Sequence, residues 1–444
     1  MFYRFIIKNY KSFKEQNEFS LIPDKHKIHT AYPTTSVPVL RDAVIYGANE
    51  SGKSNLIKAI NFVRNLVLNN IHLLSVPNYA YKLDKETLTQ PTLFVIEIRT
   101  KVFLYQYGLA ISFRNSRIVE ERLSRLDVHD KDLKWQSVFT RVTNDKNHTE
   151  INFNKEIVCS SNTPKYNIYK EDMKEHPDQL VLSEMSSKVL EYDGVSRSVH
   201  DVYDWIKNLI ILFPESQYNL LGAVVKDVKA VNQLYQKYFK KFNIDIDEIG
   251  LTKVSGAYLN LPNDLVAQIK SDFLRNRNNR YAMLHGIGQD FVVTLDKGGN
   301  LEFSEVKFLH HSHGIKAEFT KEEESDGTKR LFDLIPMLGF IIYSDKVAIV
   351  DEIDRSLHSL LTREIFRNFL STVGSRRHSQ LICTTHDILL MDSNLIGSRE
   401  VWFVDKKDGE SHIYPLYQFK DSTKGKNDFR LNYILGRYRG IPQF

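Results

Sequence analysis

The sequence predicts an α/β fold, a mixed sheet with flanking helices, whose two halves are separated along the chain by an inserted, mainly helical subdomain. Three observations predict it. A glycine-rich loop at 47–54 joins a short apolar stretch to an amphipathic one. A second apolar stretch, 347–350, ends in two carboxylates. Between them, residues 176–243 carry apolar side chains at the three-and-four spacing of helices.

The glycine-rich loop has the pattern of a phosphate-binding loop. The stretch GANESGKS fits G-x-x-x-x-G-K-[ST], in which backbone amides surround an anion, and it lies between a predicted strand and a predicted helix. Lys53 would reach the β- and γ-phosphates, Ser54 can ligate Mg²⁺, and the helix N-terminus favours the anion. This context argues against a chance glycine-rich turn. The predicted nucleotide-binding residues are Gly47, Asn49, Glu50, Ser51, Gly52, Lys53, Ser54 and Asn55.

The second apolar stretch supplies the carboxylates that a nucleotide hydrolase needs. Residues 347–350 read as a buried parallel strand, and Asp351 and Glu352 follow at its carboxyl end. Asp351 is the predicted Mg²⁺ ligand, together with Ser54, and Glu352 would polarise the attacking water. An acidic strand end without chemistry is the alternative.

Composition narrows the class of protein. The 444 residues include 60 Lys and Arg against 55 Asp and Glu, a net charge of +5 that is too small to indicate nucleic-acid binding by itself. Cys159 and Cys383 are far apart, which suits a reducing cytoplasm. No run approaches the ~18 apolar residues of a membrane span, so we expect a cytoplasmic protein without membrane contact.

Three further patterns follow in order. An acidic turn precedes an amphipathic helix at 322–338, where Ser325 is a plausible N-cap and Gly327 permits close backbone approach. Asp354 lies in the stretch after Glu352. His386 ends a predicted strand that begins at 381.

With these motifs the chain resembles the stand-alone ABC-type ATPases of the overcoming-lysogenization-defect (OLD) and RloA/AbiL-like group of prokaryotic defence loci. The resemblance covers most of the chain. A glutamine corresponding to the family's Q-loop cannot be placed beyond the candidate Gln90, and SDGT replaces the common SGGQ signature. The motifs that carry the resemblance are FIIKNYKSFKEQNEFSLIP, GANESGKSN, ESDGTKRL, DEIDRSLH, TTHD and ILGRYRGIP.

The resemblance implies roles for these residues. Glu352 and His386 would be catalytic, His386 as the switch histidine that contacts the γ-phosphate. Asp354 would belong to the D-loop. A trans signature would act on the nucleotide held by another subunit, and its residues are Ser325, Gly327 and Thr328. The implied fold is a split ABC-type P-loop head, in which ATP and Mg²⁺ drive formation of a homodimer or higher homo-oligomer.

The resemblance also implies a function. The ATPase would control a separately encoded effector, such as a TOPRIM or RloB-like nuclease, in anti-phage defence, with nucleic acid or a phage protein as further candidate partners. A DNA-repair or chromosome-structure ATPase is the alternative, disfavoured by the lack of long heptad arms. A self-contained OLD-type nuclease is less favoured, because too few residues follow His386 for a TOPRIM domain.

The sequence predicts three parts along the chain. Residues 1–158 form an N-terminal lobe with the P-loop and β-hairpins, 159–285 the mainly helical insert, and 286–444 a C-terminal lobe with the signature, the carboxylates and the histidine. The arginines of 275–280 are predicted to be a solvated run, with phosphate-backbone contact as the alternative.

Overall fold

The computed structural model divides the chain into two compact units, each described here by itself. Unit 1 comprises Met1–Pro214, Ser344–Ile353 and Leu370–Phe444, and unit 2 comprises Glu215–Tyr343 and Asp354–Phe369. The structure describes residues 1–23, 38–69, 71–129, 134–186, 193–216, 228–259, 261–275, 281–285, 289–296, 298–372, 378–419 and 429–441. The predicted arginine run at 275–280 lies largely outside these residues.

The described residues form eighteen strands and nine α-helices. The strands are β1 Phe2–Lys8, β2 Asn17–Ser20, β3 Asp42–Tyr46, β4 Thr92–Arg99, β5 Phe103–Ser112, β6 Arg117–Asp127, β7 Gln136–Thr143, β8 Thr149–Phe153, β9 Ile210–Leu212, β10 Glu248–Val254, β11 Tyr281–His285, β12 Asp290–Leu295, β13 Leu301–Ser312, β14 Ile315–Phe319, β15 Val347–Val350, β16 Gln380–Thr384, β17 Val401–Lys407 and β18 Glu410–Pro415. The helices are α1 Lys53–Asn69, α2 Thr163–Asp172, α3 Val181–Ser186, α4 Gly194–Asn208, α5 Val228–Lys241, α6 Asn263–Arg275, α7 Asp326–Tyr343, α8 Ser359–Thr372 and α9 Phe429–Ile434.

The central sheet of unit 1 joins the two halves of the predicted fold. Its strands lie in the order β18-β17-β3-β16-β15-β9, and all neighbours are parallel except β17 and β18. Every residue of β3, β15 and β16 is buried, as expected for central parallel strands that read as continuous apolar runs. The carboxyl ends of β3 and β15, far apart in sequence, therefore meet at one edge, and the predicted α/β fold class is confirmed.

A second sheet in unit 1 is antiparallel throughout. Its order is β2-β1-β4-β5-β6-β7-β8, a set of hairpins closed around β1. Helix α1 buries one face, which includes Leu56, Ile60 and Val63. The hydroxyl of Ser183 in α3 donates to the carbonyl oxygen of Val67 in α1 at 2.8 Å. This bond ties α3 to the helix that follows the phosphate loop.

Unit 2 has its own sheet and core. The sheet runs β10-β13-β12-β11, and β14 pairs with β13. In α7, the ring of Phe332 stacks on Tyr235 at 5.2 Å and meets Phe308 edge-on at 5.1 Å. Ile269 and Phe273 of α6 pack with Val293 and Phe303 of the sheet. Sheet and helices therefore share one apolar core.

The compact units group the chain differently from the predicted parts 1–158, 159–285 and 286–444. Helices α2 to α4 belong to unit 1, and the described residues of 215–285 contain β10 and β11 besides two helices. β10 is hard to recognise from sequence, because only Ile249 among its seven residues is buried and no clear alternation results. No helix in the described part of the chain is long and apolar enough to cross a membrane.

Candidate nucleotide-binding site

The loop between β3 and α1 lines a cavity of about 150 Å³. Residues 49–55 form one side, and Glu352 and His386 complete the lining. Glu352 follows β15 and His386 follows β16, so three neighbouring parallel strands deliver these residues to one place. The structure thus brings together most of the residues predicted for nucleotide binding and catalysis.

Two positions in the loop require glycine. Gly52 has φ of +114°, and a Cβ there would overlap the Ser411 hydroxyl and lie 2.9 Å from the Ser12 Oγ. A Cβ on Gly47 would overlap the carbonyl oxygen of Val404. The loop can therefore follow its tight path only where side chains are absent.

The loop also presents polar groups that fit a phosphate. Lys53 is 6% exposed, and its Nζ donates to the carbonyl oxygens of Gly47 at 2.7 Å and Ala48 at 3.0 Å. The Ser51 hydroxyl is buried and has no hydrogen-bond partner among the described residues. A buried hydroxyl without a partner costs free energy, and a phosphate oxygen in this cavity would satisfy it. Buried ammonium, hydroxyl and helix N-terminus form a cradle for an anion.

The acidic residues are held by a threonine that the sequence did not single out. The Thr384 hydroxyl donates to Asp351 Oδ1 at 2.6 Å and accepts from the backbone N–H of Glu352 at 2.8 Å. Asp351 is 2% exposed, and its N–H donates to the Leu212 carbonyl oxygen of β9 at 2.8 Å. One hydroxyl on β16 therefore fixes both carboxylate residues that follow β15.

The donor set fits Mg²⁺, which prefers oxygen ligands. Ser54 and Asp351 supply a hydroxyl and a carboxylate, and Mg²⁺ in phosphate sites commonly takes only one or two protein ligands besides substrate phosphates and water. Among the described residues no group of three or more His, Cys, Asp or Glu could hold a metal ion by itself. The fit is therefore to a cation bound together with a nucleotide.

His386 is exposed at the cavity, whereas its neighbours are anchored. The Thr385 N–H donates to the Ile45 carbonyl oxygen at 3.1 Å. The Asp387 carboxylate accepts from the Leu389 N–H at 2.9 Å, and the Tyr46 hydroxyl donates to the Asp387 carbonyl oxygen at 3.3 Å. These bonds hold the strand end so that the imidazole of His386 stands free to contact a ligand.

The predicted signature residues belong to unit 2, whereas all residues that line the cavity belong to unit 1. Ser325 caps α7: its hydroxyl accepts from the Thr328 N–H at 3.1 Å and lies 2.9 Å from the Thr328 Oγ1. A Cβ on Gly327 would lie 3.0 Å from the carbonyl oxygen of Ser356, just after Asp354. The start of α7 and the segment after Asp354 are therefore close neighbours in unit 2.

Two more serines support the loop and were missed. The Ser411 hydroxyl of β18 donates to the Ser51 carbonyl oxygen at 2.5 Å. Asn55 Nδ2 donates to the Ser12 Oγ at 2.9 Å, and the Ser411 N–H donates to the Ser12 carbonyl oxygen at 2.7 Å. Ser12 lies within the opening motif, which was a signal for it, whereas no sequence pattern marked Ser411.

Comparison with known proteins gives a family match. The family model described as "AAA domain, putative AbiEii toxin, Type IV TA system" matches residues 43–392, a span from β3 to just beyond His386. No curated protein matches the chain.

Solved structures of SMC heads are similar over nearly their whole length. The SmcHead bound to the C-winged helix domain of ScpA is 13% identical, covers 93% of this chain and 97% of its own, and has a TM-score of 0.43. The SMC head domain from Thermotoga maritima is 12% identical, with coverages of 93% and 98% and a TM-score of 0.34. The Smc head domain with an extended coiled coil bound to the C-terminal domain of ScpA, from Pyrococcus furiosus, is 14% identical, with coverages of 94% and 96% and a TM-score of 0.41.

Proposed function

The chain belongs to the AAA-domain family of AbiEii-type, type IV TA systems, and from this premise we propose that it is an ABC-type ATPase that binds and hydrolyses ATP. The single observation that supports this most is the cavity in which the loop 49–55 faces Glu352 and His386. It combines a phosphate cradle, a carboxylate and an imidazole, which are the groups that phosphoryl transfer to water requires.

Binding would use the groups already placed in the loop. The backbone amides of the loop and the Ser51 hydroxyl would surround the β- and γ-phosphates, and Lys53 would exchange its carbonyl partners for phosphate oxygens. Ser54 and Asp351 would hold Mg²⁺, which neutralises charge on the phosphate oxygens when bound. Asn49, Glu50 and Asn55 would shape the mouth of the site.

Hydrolysis would depend on the orientation of a water molecule. Glu352 would accept a hydrogen bond from the attacking water, and His386 would donate one to a γ-phosphate oxygen. Glu352 has φ of +49°, a conformation that costs a non-glycine residue free energy. The Thr384 hydroxyl stabilises it through the Glu352 N–H, so the carboxylate is held where β15 meets the cavity.

A second copy of the chain would complete the site. Ser325 is exposed at the N-terminus of α7, and a helix N-terminus with a free hydroxyl favours an anion. The P-loop already has the N-terminus of its own α1. We therefore place Ser325, Gly327 and Thr328 of one copy on the γ-phosphate bound by another, with Asp354 beside them. ATP would then drive a homodimer or higher oligomer together.

The nucleotide-driven association would act as a switch on a separate effector. The resemblance to defence ATPases favours a nuclease of the TOPRIM or RloB-like kind and a cytoplasmic role against phage. The family description, which includes a toxin of a type IV toxin–antitoxin system, also favours a paired system. Nucleic acid or a phage protein would provide the trigger.

Glu352→Gln tests the proposal. The amide preserves size but cannot polarise water, so turnover should fall at least ~100-fold while ATP affinity remains. Because hydrolysis no longer opens the assembly, sedimentation velocity should show a larger species with ATP and Mg²⁺ than with ADP. Unchanged turnover in this variant would remove Glu352 from catalysis, and lack of ATP binding by the native protein would overturn the proposal.

A further inference from the structure

Strand β14 is an exposed edge strand immediately before the signature helix. All five residues of Ile315–Phe319 are exposed. The strand pairs with β13 on one side, and within the described ranges no strand pairs with its other side. A bare edge presents backbone N–H and C=O groups that a further strand can meet, and proteins usually cover or blunt such an edge.

The hairpin turn determines which backbone groups face outward. His313 and Gly314 both have positive φ, +50° and +80°, as in a two-residue type I′ turn. Ser312 and Ile315 flank this turn and form its first pair, and hydrogen-bonded and non-hydrogen-bonded pairs then alternate. The backbone groups of Lys316 and Glu318 therefore face away from β13 at the open edge.

The sequence of β14 is complementary to itself when read backwards. It runs apolar, cation, small, anion, apolar. An antiparallel copy related by a twofold axis through Ala317 places Lys316 opposite the partner's Glu318, and Ile315 opposite the partner's Phe319. In the same register the outward backbone groups of Lys316 meet those of the partner's Glu318. We propose that β14 pairs with β14 of a second copy and joins two unit 2 sheets across a twofold axis.

Charge and register favour a second copy over another occupant. A twofold axis at Lys316 or at Glu318 would oppose like charges, so only the axis at Ala317 satisfies charges and hydrogen bonds together. Competition within the chain is weak, since Thr252 Oγ1 donates to Glu318 Oε2 at 3.4 Å on the surface. Five residues bury far less than the ~1,200 Å² of a stable interface, so this contact adds to an assembly and does not need nucleotide.

Cysteine trapping tests the register. In Ala317→Cys the two residues on the axis form a non-hydrogen-bonded pair with Cα atoms about 4.5 Å apart, within disulfide range. Mild oxidation without nucleotide should convert most of this variant into a reducible dimer. The matched control, Ile315→Cys, is equally exposed but lies away from its own copy, and should stay at the background set by Cys159 and Cys383 of the native chain. Equal trapping of both variants would overturn the proposal.

Charge exchange separates self-pairing from other uses of this edge. In the Ala317→Cys background, Lys316→Glu and Glu318→Lys should each lower the dimer yield about tenfold, because each opposes like charges twice. The double exchange should restore the yield, and an equal mixture of the two single variants should form mixed dimers. A double variant that stays at the level of the single variants, or single variants that trap normally, would contradict pairing of β14 with itself. None of these results depends on the P-loop.

Discussion

At the scale of single residues, the site depends on a few buried polar groups that have one arrangement available. Thr384 illustrates this, because its one hydroxyl serves Asp351 as donor and the Glu352 N–H as acceptor. With φ of +49°, Glu352 needs such support, since its strained backbone persists only where the surroundings fix it. The position of the catalytic carboxylate is thus set from β16.

Thr384→Val should lower turnover while leaving ATP affinity nearly unchanged. Valine keeps the shape of threonine but leaves Asp351 and the Glu352 N–H without a shared partner, a cost of about 1–3 kcal/mol. We expect a fall in kcat of about 10–100-fold with a small change in KM, since the P-loop is untouched. Thr384→Ser keeps the hydroxyl and should recover most of the rate, and equal loss in both variants would contradict the role of the hydroxyl.

Lys53→Ala should weaken ATP binding by at least about 100-fold, because it removes a charged donor worth about 1.5–3 kcal/mol to the phosphates. Lys58→Ala is the matched control, an exposed lysine in the same helix. Titration with a fluorescent ATP analogue measures both. If Lys53→Ala binds the analogue as tightly as Lys58→Ala does, the assignment of the phosphate loop is wrong.

At the scale of elements, α3 is anchored to the antiparallel sheet by a buried carboxylate. Glu121 of β6 accepts from the N–H groups of Val181 at 2.8 Å and Leu182 at 3.0 Å, and from the Tyr107 hydroxyl at 2.9 Å. Burial raises the pKa of Glu121, while Arg141 and the hydrogen bonds act to lower it. Helix and sheet therefore meet through a polar contact inside the core.

Glu121→Ala should lower the free energy of unfolding by about 3–5 kcal/mol, because it leaves Arg141 and two backbone donors buried without their acceptor. Glu120→Ala, a half-exposed neighbour on the same strand, should change it by no more than about 0.5 kcal/mol. Urea denaturation of both variants measures the difference. Similar values for the two would contradict an anchoring role.

The same scale explains what could be predicted from the sequence. The P-loop and the carboxylates are contiguous patterns at strand ends, so β3, α1 and β15 could be predicted with their chemistry. The supporting contacts could not, because Thr384 and Asp351 are 33 positions apart and Ser411 and Ser51 are 360 apart. Pairing at such separations follows from sheet order, which one sequence does not reveal.

At the scale of the whole molecule, the proposed function divides the catalytic groups between copies. The phosphate loop, Glu352 and His386 lie in unit 1, and the capped start of α7 lies in unit 2. Our central claim is that Ser325 of one copy completes the nucleotide site of another. An enzyme built in this way needs association for turnover, so its ATPase rate should rise with protein concentration.

Mixing two inactive variants tests this claim most directly. Lys53→Ala removes the phosphate cradle, and Ser325→Arg blocks the signature with bulk while leaving the P-loop intact, so each alone should hydrolyse little ATP. In an equal mixture, heterodimers regain one intact composite site, and the rate should recover to at most about one quarter of native, because random pairing makes half of the dimers mixed. Recovery in the mixture with neither variant active alone is the result we predict. Full ATPase activity of Ser325→Arg by itself would contradict the composite site.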